Sequence, residues 1–388
     1  MVRPHPRTRP RAAARSAVPP FYVMEVMRAA EARERAGHRV LHLEVGQPST
    51  SAPAPVVAAA HRALDADRLG YTGAAGLPAL RERVAWWYDH RYGLDVDPSR
   101  VVITTGASGS CVLTFLAAFD PGDRVAVIEP GYPCYRNDLL AFGVDVVTVP
   151  VGPETSFRPT VEHLVAAGPL DGLVVASPNN PTGTVLADEH LRPLLAWAAG
   201  AGVQVVSDEI YHGITYETSA PTALAIDADV VVVSSFSKYF SMTGWRLGWI
   251  VAPPELAEPI ERLAQSLTVA PPTLSQVAAI AAFDAVDELE ANVTTYRRNR
   301  DLLLAGLPAA GLDRLAPADG AFYLWADVSH LCDDAADLAR RWLDELSIAV
   351  TPGIDFDRSR GHRSIRLSYA GAADDLAEAI DRLAAWRP

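Results

Sequence analysis

The stretch 230–249, VVVVSSFSKYFSMTGWRLGW, runs from an unbroken β-branched segment into a hydroxyl-rich turn that holds Lys238 and then Arg246. An apolar run without polar alternation is how a strand buried on both faces reads. Lys238, at its exit, is the only lysine in a chain of 388 residues that has 34 Lys plus Arg. Arginine keeps its proton under ordinary conditions, whereas a desolvated lysine amine loses it and can act as a nucleophile. A compositional bias toward arginine with one surviving lysine is the plain alternative, and the surroundings decide between the two.

Outward from this stretch the pattern repeats. RVVITT (100–105), RVAVIEP (124–130), VDVVTVP (144–150), GLVVAS (172–177), VQVVSD (203–208) and GWIVAP (248–253) are strand candidates, and segments of helical length such as DEHLRPLLAWAAGAG (188–202) separate them. This alternation predicts a three-layer α/β/α domain, doubly wound around a mostly parallel sheet. After about residue 285 the order changes to a long polar helix (287–307), strands AFYLWADV and SIRLSYA, and a closing helix with Leu376, Ile380 and Leu383 on one face. The expected organisation is a large domain over 49–285, a smaller α+β domain from 21–48 and 286–388, and a flexible, basic, Pro-rich tail over 1–20.

Bulk properties narrow the function. A net charge of −13 argues against nucleic acid as a partner, since displacing counterions from phosphates needs a basic face. No run of about 18 apolar residues is present to span a bilayer. Cys111, Cys134 and Cys332 are odd in number and far apart, which fits a reduced, cytoplasmic protein without structural zinc. His38 and His42 are four apart in HRVLHLEVG, but that segment reads as a strand, where the spacing does not bring the rings together, so no metal site is expected.

Ligands of an open parallel sheet bind beyond the carboxyl ends of its strands, so the polar residues there are the candidates. Gly106, Ala107 and Ser108 come after RVVITT and open a helix, a setting for an anion and equally for a tight turn. Tyr132 comes after RVAVIEP, where a ring can stack on a flat ligand or simply pack. Asn180 lies in the rigid loop PNNPTG (178–183) after GLVVAS. Asp208 ends VQVVSD, where an acid at the mouth of an apolar strand needs a cation, or else caps the next helix. Ser235, Ser237, Lys238 and Arg246 complete the set after VVVVSS. Together they offer a phosphate cradle, a stacking ring, a carboxylate for a cationic nitrogen, and an amine able to form a Schiff base. Pyridoxal 5'-phosphate is the cofactor that needs all four.

With EVGQP (44–48), YTGAAGLPALR (71–81), EPGYPCY (129–135), SDEIYH (207–212) and IRLSYA (365–370), the chain resembles the class I/II aminotransferases of pyridoxal-phosphate fold type I. The resemblance covers nearly everything after the tail. It implies that Lys238 holds the cofactor as an internal aldimine and then moves the proton at the substrate α-carbon. Asp208 would keep the pyridine nitrogen protonated, Tyr211 and Asn180 would bond the phenolic oxygen, and Tyr132 would stack on the ring. The phosphate would lie against Gly106, Ala107, Ser108, Ser235, Ser237 and Arg246, with Tyr71 reaching across from a second subunit of a homodimer. Arg366, Asn180 and the backbone of Gly46 would take the substrate carboxylate. The resemblance implies transfer of an amino group between an L-α-amino acid and a 2-oxo acid. A lyase, decarboxylase or cyclase on the same scaffold is the alternative. Ser108, where some dicarboxylate-selective relatives carry a basic residue, points to a neutral or aromatic substrate, with Phe21, Tyr22 and Tyr132 as candidate pocket walls.

Rival classes fail on particular residues. SFSK (235–238) is an S-x-x-K motif, but the K-T-G motif that accompanies it in β-lactamases needs a second lysine. A nicotinamide dehydrogenase lacks its glycine fingerprint. A regulator of this fold would need a DNA-binding domain that a 20-residue tail cannot form.

Overall fold

A computed structural model describes residues 12–66 and 68–387. The candidate strands become one seven-stranded sheet: β1 (Val101–Thr104), β2 (Arg124–Glu129), β3 (Asp145–Pro150), β4 (Gly172–Ala176), β5 (Gln204–Asp208), β6 (Val231–Ser235) and β7 (Gly248–Val251), in the order β1-β7-β6-β5-β4-β2-β3. β7 alone runs against its neighbours. Between β6 and β7 the chain forms only a turn and the 3-10 segment Thr243–Trp245, and without a crossover helix the strand must return antiparallel.

Burial explains the unbroken apolar strands. Leu173, Val175, Val205 and Val232 enter one core cluster, while their sequence neighbours Val174, Val206, Val231 and Val233 enter another. Period-two alternation sends successive side chains to opposite faces, so both faces of the sheet are covered. In β3, at the sheet edge, only Val149 is buried.

The helices that bear on the site are α1 (Tyr22–Arg35), α2 (Gly106–Ala118), α3 (Pro133–Phe142), α4 (Asp188–Ala201), α5 (Pro254–Leu267), α6 (Val286–Gly306) and α7 (Ala373–Ala385). Leu191, Leu194, Leu195 and Ala198 of α4 cover one face of the sheet, and residues of α2 and α5 such as Phe115 and Ile260 cover the other. Fully burying one such side chain is worth about 1.5–3 kcal/mol, so the sheet is held from both faces.

A second, antiparallel sheet has the order β9-β10-β8, from β8 (Tyr323–Asp327), β9 (Thr351–Pro352) and β10 (Ser364–Ser368). The segment HRVLHLEVG pairs only over Leu41–His42, in parallel with Ile348–Ala349. His42 meets carboxylates there: Nδ1 lies 2.8 Å from Glu44 and Nε2 3.1 Å from Glu34. The first 11 residues of the expected tail lie outside the described residues. From residue 12 the chain forms a 3-10 turn at Ala14–Ser16, and the Pro19 carbonyl accepts from Asn137 Nδ2 at 3.3 Å.

Candidate active site

Because β1, β2, β4, β5 and β6 share one direction, their carboxyl ends open on one edge of the sheet. A cavity of about 260 Å³ lies there, and Lys238, Asp208, Tyr211, Asn180, Tyr132, Ala107, Ser108, Ser237, Arg246, Gly46 and Arg366 all line it.

Lys238 Nζ donates to the Gly46 carbonyl at 2.5 Å and lies 5.7 Å from the Tyr211 ring centroid. Burial pushes this amine down to about 7, the nearby Arg366 and Arg246 guanidiniums push the same way, and Asp208 opposes them. Asp208 accepts from Tyr135 Oη at 2.5 Å and from the Ile210 N–H at 2.9 Å. No cationic side chain of the described residues is within ion-pair distance of it, and burial raises its pKa against those two hydrogen bonds. A buried carboxylate matched only by neutral donors is a place prepared for a cationic group.

One end of the cavity is built from left-handed backbone. Arg246 is left-handed at φ 52°, and Gly106 at φ 78°, so the chain bends sharply at both. A Cβ on Gly106 would stand 2.6 Å from Arg246 Nη2, so the glycine makes room for the guanidinium beside the start of α2. Arg246 donates only to the Thr243 carbonyl, at 3.1 Å, and meets no carboxylate among the described residues. Gly248 must also be small, since a Cβ there would lie 2.8 Å from both Gly106 C and the Ser234 carbonyl. Ser235 does not line the cavity. Its Oγ lies 2.9 Å from Ser237 Oγ and from the Leu247 carbonyl and accepts from the Ser237 N–H, so it shapes the turn that presents Ser237.

Arg366 stands at the other end, on β10. Its Nη1 donates to Asn180 Oδ1 at 3.0 Å, and its Nη2 to the Glu44 carbonyl at 2.6 Å. The guanidinium lies 4.5 Å from the ring centroid of Tyr323 and 4.8 Å from that of Phe356. Its Nε is buried and has no partner, a donor left for a ligand. Tyr211 Oη lies 2.7 Å from Tyr323 Oη. A Cβ on Gly46 would strike the Tyr323 hydroxyl.

Tyr71 is apart from these, 87% exposed and outside the cavity of its own chain. The apolar wall falls on Val23 and Met27, four apart on α1, rather than on Phe21 and Tyr22. Phe21 instead approaches Tyr132, with ring centroids 6.2 Å apart. Sequence reasoning also missed Tyr135 and Tyr323. Tyr135, three residues from Tyr132 at the start of a helix, carried a signal in its spacing, whereas Tyr323 read only as an apolar strand residue.

Residues 38–383 match the family model described as aminotransferase class I and II. The chain belongs to this family. The aminotransferase is 49% identical over 383 residues, 97% of this chain and 99% of the relative, to the valine–pyruvate aminotransferase of Mycobacterium tuberculosis. It is 37% identical over 358 residues, 90% of this chain and 91% of the relative, to the aspartate/prephenate aminotransferase of Thermus thermophilus. A crystal structure of an aminotransferase from Mycobacterium tuberculosis, 48% identical, superposes with a TM-score of 0.95, covering 97% of this chain and 99% of that one. The fold is thus the α/β fold of aspartate aminotransferases, and the protein is an enzyme that transfers an amino group between an amino acid and a 2-oxo acid. No helix of the described residues is long and apolar enough to cross a membrane.

Proposed function

We propose that the cavity binds pyridoxal 5'-phosphate and that the aminotransferase uses it to take the amino group of an L-α-amino acid with a neutral side chain. The residues present fit this cofactor. Ala107, Ser108, Ser237 and Arg246 would hold its phosphate at the start of α2, Tyr132 would lie on its ring, and Tyr211 with Asn180 would bond its phenolic oxygen. Asp208, buried and without a cation, would meet the ring nitrogen, and Tyr135 orients that carboxylate. Bound there, the cofactor supplies a conjugated ring that withdraws electrons from the substrate α-carbon and a carbonyl carbon that accepts and returns the amino group.

The chain's own residues supply the rest. The observation that carries the reading is the Lys238 amine, buried among cations and drawn down to about 7, so that near neutrality it is both a nucleophile and a base able to hold a proton taken from the substrate α-carbon. Arg366, with its Nε free, receives the α-carboxylate and turns the substrate so that the α-hydrogen faces Lys238. The three cations lining the cavity are then all engaged, and Val23, Met27 and Val45 face the substrate side chain, which favours a neutral one. A relative at 49% identity named for valine and pyruvate supports the same choice.

We further infer a homodimer in which the partner subunit's Tyr71 completes the phosphate site, in keeping with the exposure of Tyr71. Residues 21–48 and 286–388 form the small domain that brings α1 and Arg366 to the large domain of 49–285. Three free cysteines suit the cytoplasm. The test is Lys238→Arg, which keeps the charge and removes the titratable amine. Turnover should fall at least about 1000-fold, within the range for loss of a general acid–base group, and borohydride should fix the cofactor to Lys238 in the parent protein only. An arginine variant with parental turnover contradicts the proposal.

A further inference from the structure

The Asp355 carboxylate is buried, yet it has no role in the chemistry described above. Its two oxygens accept from the backbone N–H groups of Tyr22, at 2.8 Å, and Val23, at 2.9 Å, the opening residues of α1. An anion at the start of a helix satisfies unpaired N–H groups and meets the positive end of the helix dipole. What is unusual is the distance along the chain: the cap comes from more than 330 residues away, not from the residue before the helix. The preceding residue, Phe21, offers no capping oxygen.

The neighbours of Asp355 give this cap its consequence. Phe356, next in the chain, has its ring 4.8 Å from the Arg366 guanidinium, and Arg136 Nη2 donates to the Asp355 carbonyl at 3.4 Å. The other end of α1 is tied to the same region. Arg33 donates to Ser347 Oγ at 3.0 Å and to the Asp344 carbonyl at 2.6 Å, and Glu34 meets His42, whose other ring nitrogen meets Glu44. Glu44 in turn offers its carbonyl to Arg366. The helix is therefore fastened at both ends to segments that also hold Arg366, and its Val23 and Met27 face the cavity in between.

We infer that Asp355 is a positioning residue for substrate selection: by fixing the first turn of α1 it sets the distance of the Val23 and Met27 wall from Arg366, and so the size of side chain the site accepts. This rests on the proposed binding of a neutral amino acid through Arg366. A side chain too short to reach α1 is indifferent to the wall, whereas a longer aliphatic one gains or loses contact with it. Asp355→Asn keeps the shape and removes the charge and one acceptor.

The experiment compares L-alanine and L-leucine as amino donors for the cofactor-loaded parent, Asp355→Asn and Met27→Ala. For Asp355→Asn the KM for leucine should rise about tenfold, the equivalent of about 1.4 kcal/mol, with the KM for alanine moving less than about twofold and kcat for both nearly unchanged. Met27→Ala, which trims the wall without touching the cap, should show the same preference for the smaller substrate. An equal rise for both donors would mean that Asp355 acts on Arg366 or on the fold, and no rise would mean that the cap is idle; either result overturns the inference. A parent that uses alanine but not leucine would also overturn the inference, whereas a parent that uses neither would overturn the reading of a neutral donor on which the inference stands.

Discussion

At the scale of single residues, Lys238 was legible as a candidate from its being one lysine among arginines together with its place at a strand exit, and Asp208 and Arg246 from their places after neighbouring strands. Tyr323 and Asp355 were not, because each works through a partner 112 or about 330 residues away in the chain. No local pattern encodes such a pairing. The single lysine also makes a clean titration possible. Unfolded, its amine holds a proton to about pH 10.4, while in the folded, cofactor-free protein it is drawn down to about 7. Between those values the unfolded chain binds the extra proton, so this group makes the fold more stable as pH rises from about 7 toward 10, a contribution lost again as pH falls through 7. An amine-reactive reagent followed by peptide mass spectrometry should modify Lys238 of the cofactor-free protein with a midpoint near pH 7. A midpoint near that of free lysine would show that burial does not shift the amine.

At the scale of elements, all seven strands of the large sheet were visible as β-branched runs, six of them because their residues are buried on both faces, whereas at the edge strand β3 only Val149 is buried. The direction of β7 was not, since hydropathy carries no sign of strand polarity; only the lack of a helix between β6 and β7 hints at it. HRVLHLEVG misled for a related reason: its alternation arises from one short parallel pairing and then a segment whose carbonyls serve Arg366 and Lys238 instead of a ladder. The start of α2 is the element on which the anion site depends. Gly106→Ala places a side chain at φ 78°, which costs about 1–2 kcal/mol for an L-residue, and drives its Cβ into Arg246 Nη2. The variant should bind pyridoxal 5'-phosphate at least about tenfold more weakly in a cofactor titration, with a lower unfolding midpoint. Parental affinity would mean that Arg246 does not serve the phosphate.

At the scale of the whole molecule, one face of chemistry is assembled from parts that fold by different rules. The parallel sheet, held by its two covered faces, gives fixed positions to Asp208, Asn180, Lys238 and Arg246. The antiparallel sheet and α1 bring Arg366, Tyr323 and the apolar wall across from it. In the function proposed, the proton-handling groups would stand on the parallel sheet and substrate recognition would come from the antiparallel sheet and α1. The proposed function is that Lys238 and its surroundings would move an amino group from a neutral amino acid and retain it. Its most direct test is a single half-reaction: cofactor-loaded protein mixed with L-valine and no 2-oxo acid. The account predicts one equivalent of the matching 2-oxo acid per active site, no free ammonia, and a visible absorption band that returns when pyruvate is added. Release of ammonia or carbon dioxide, or no change at all, would contradict it.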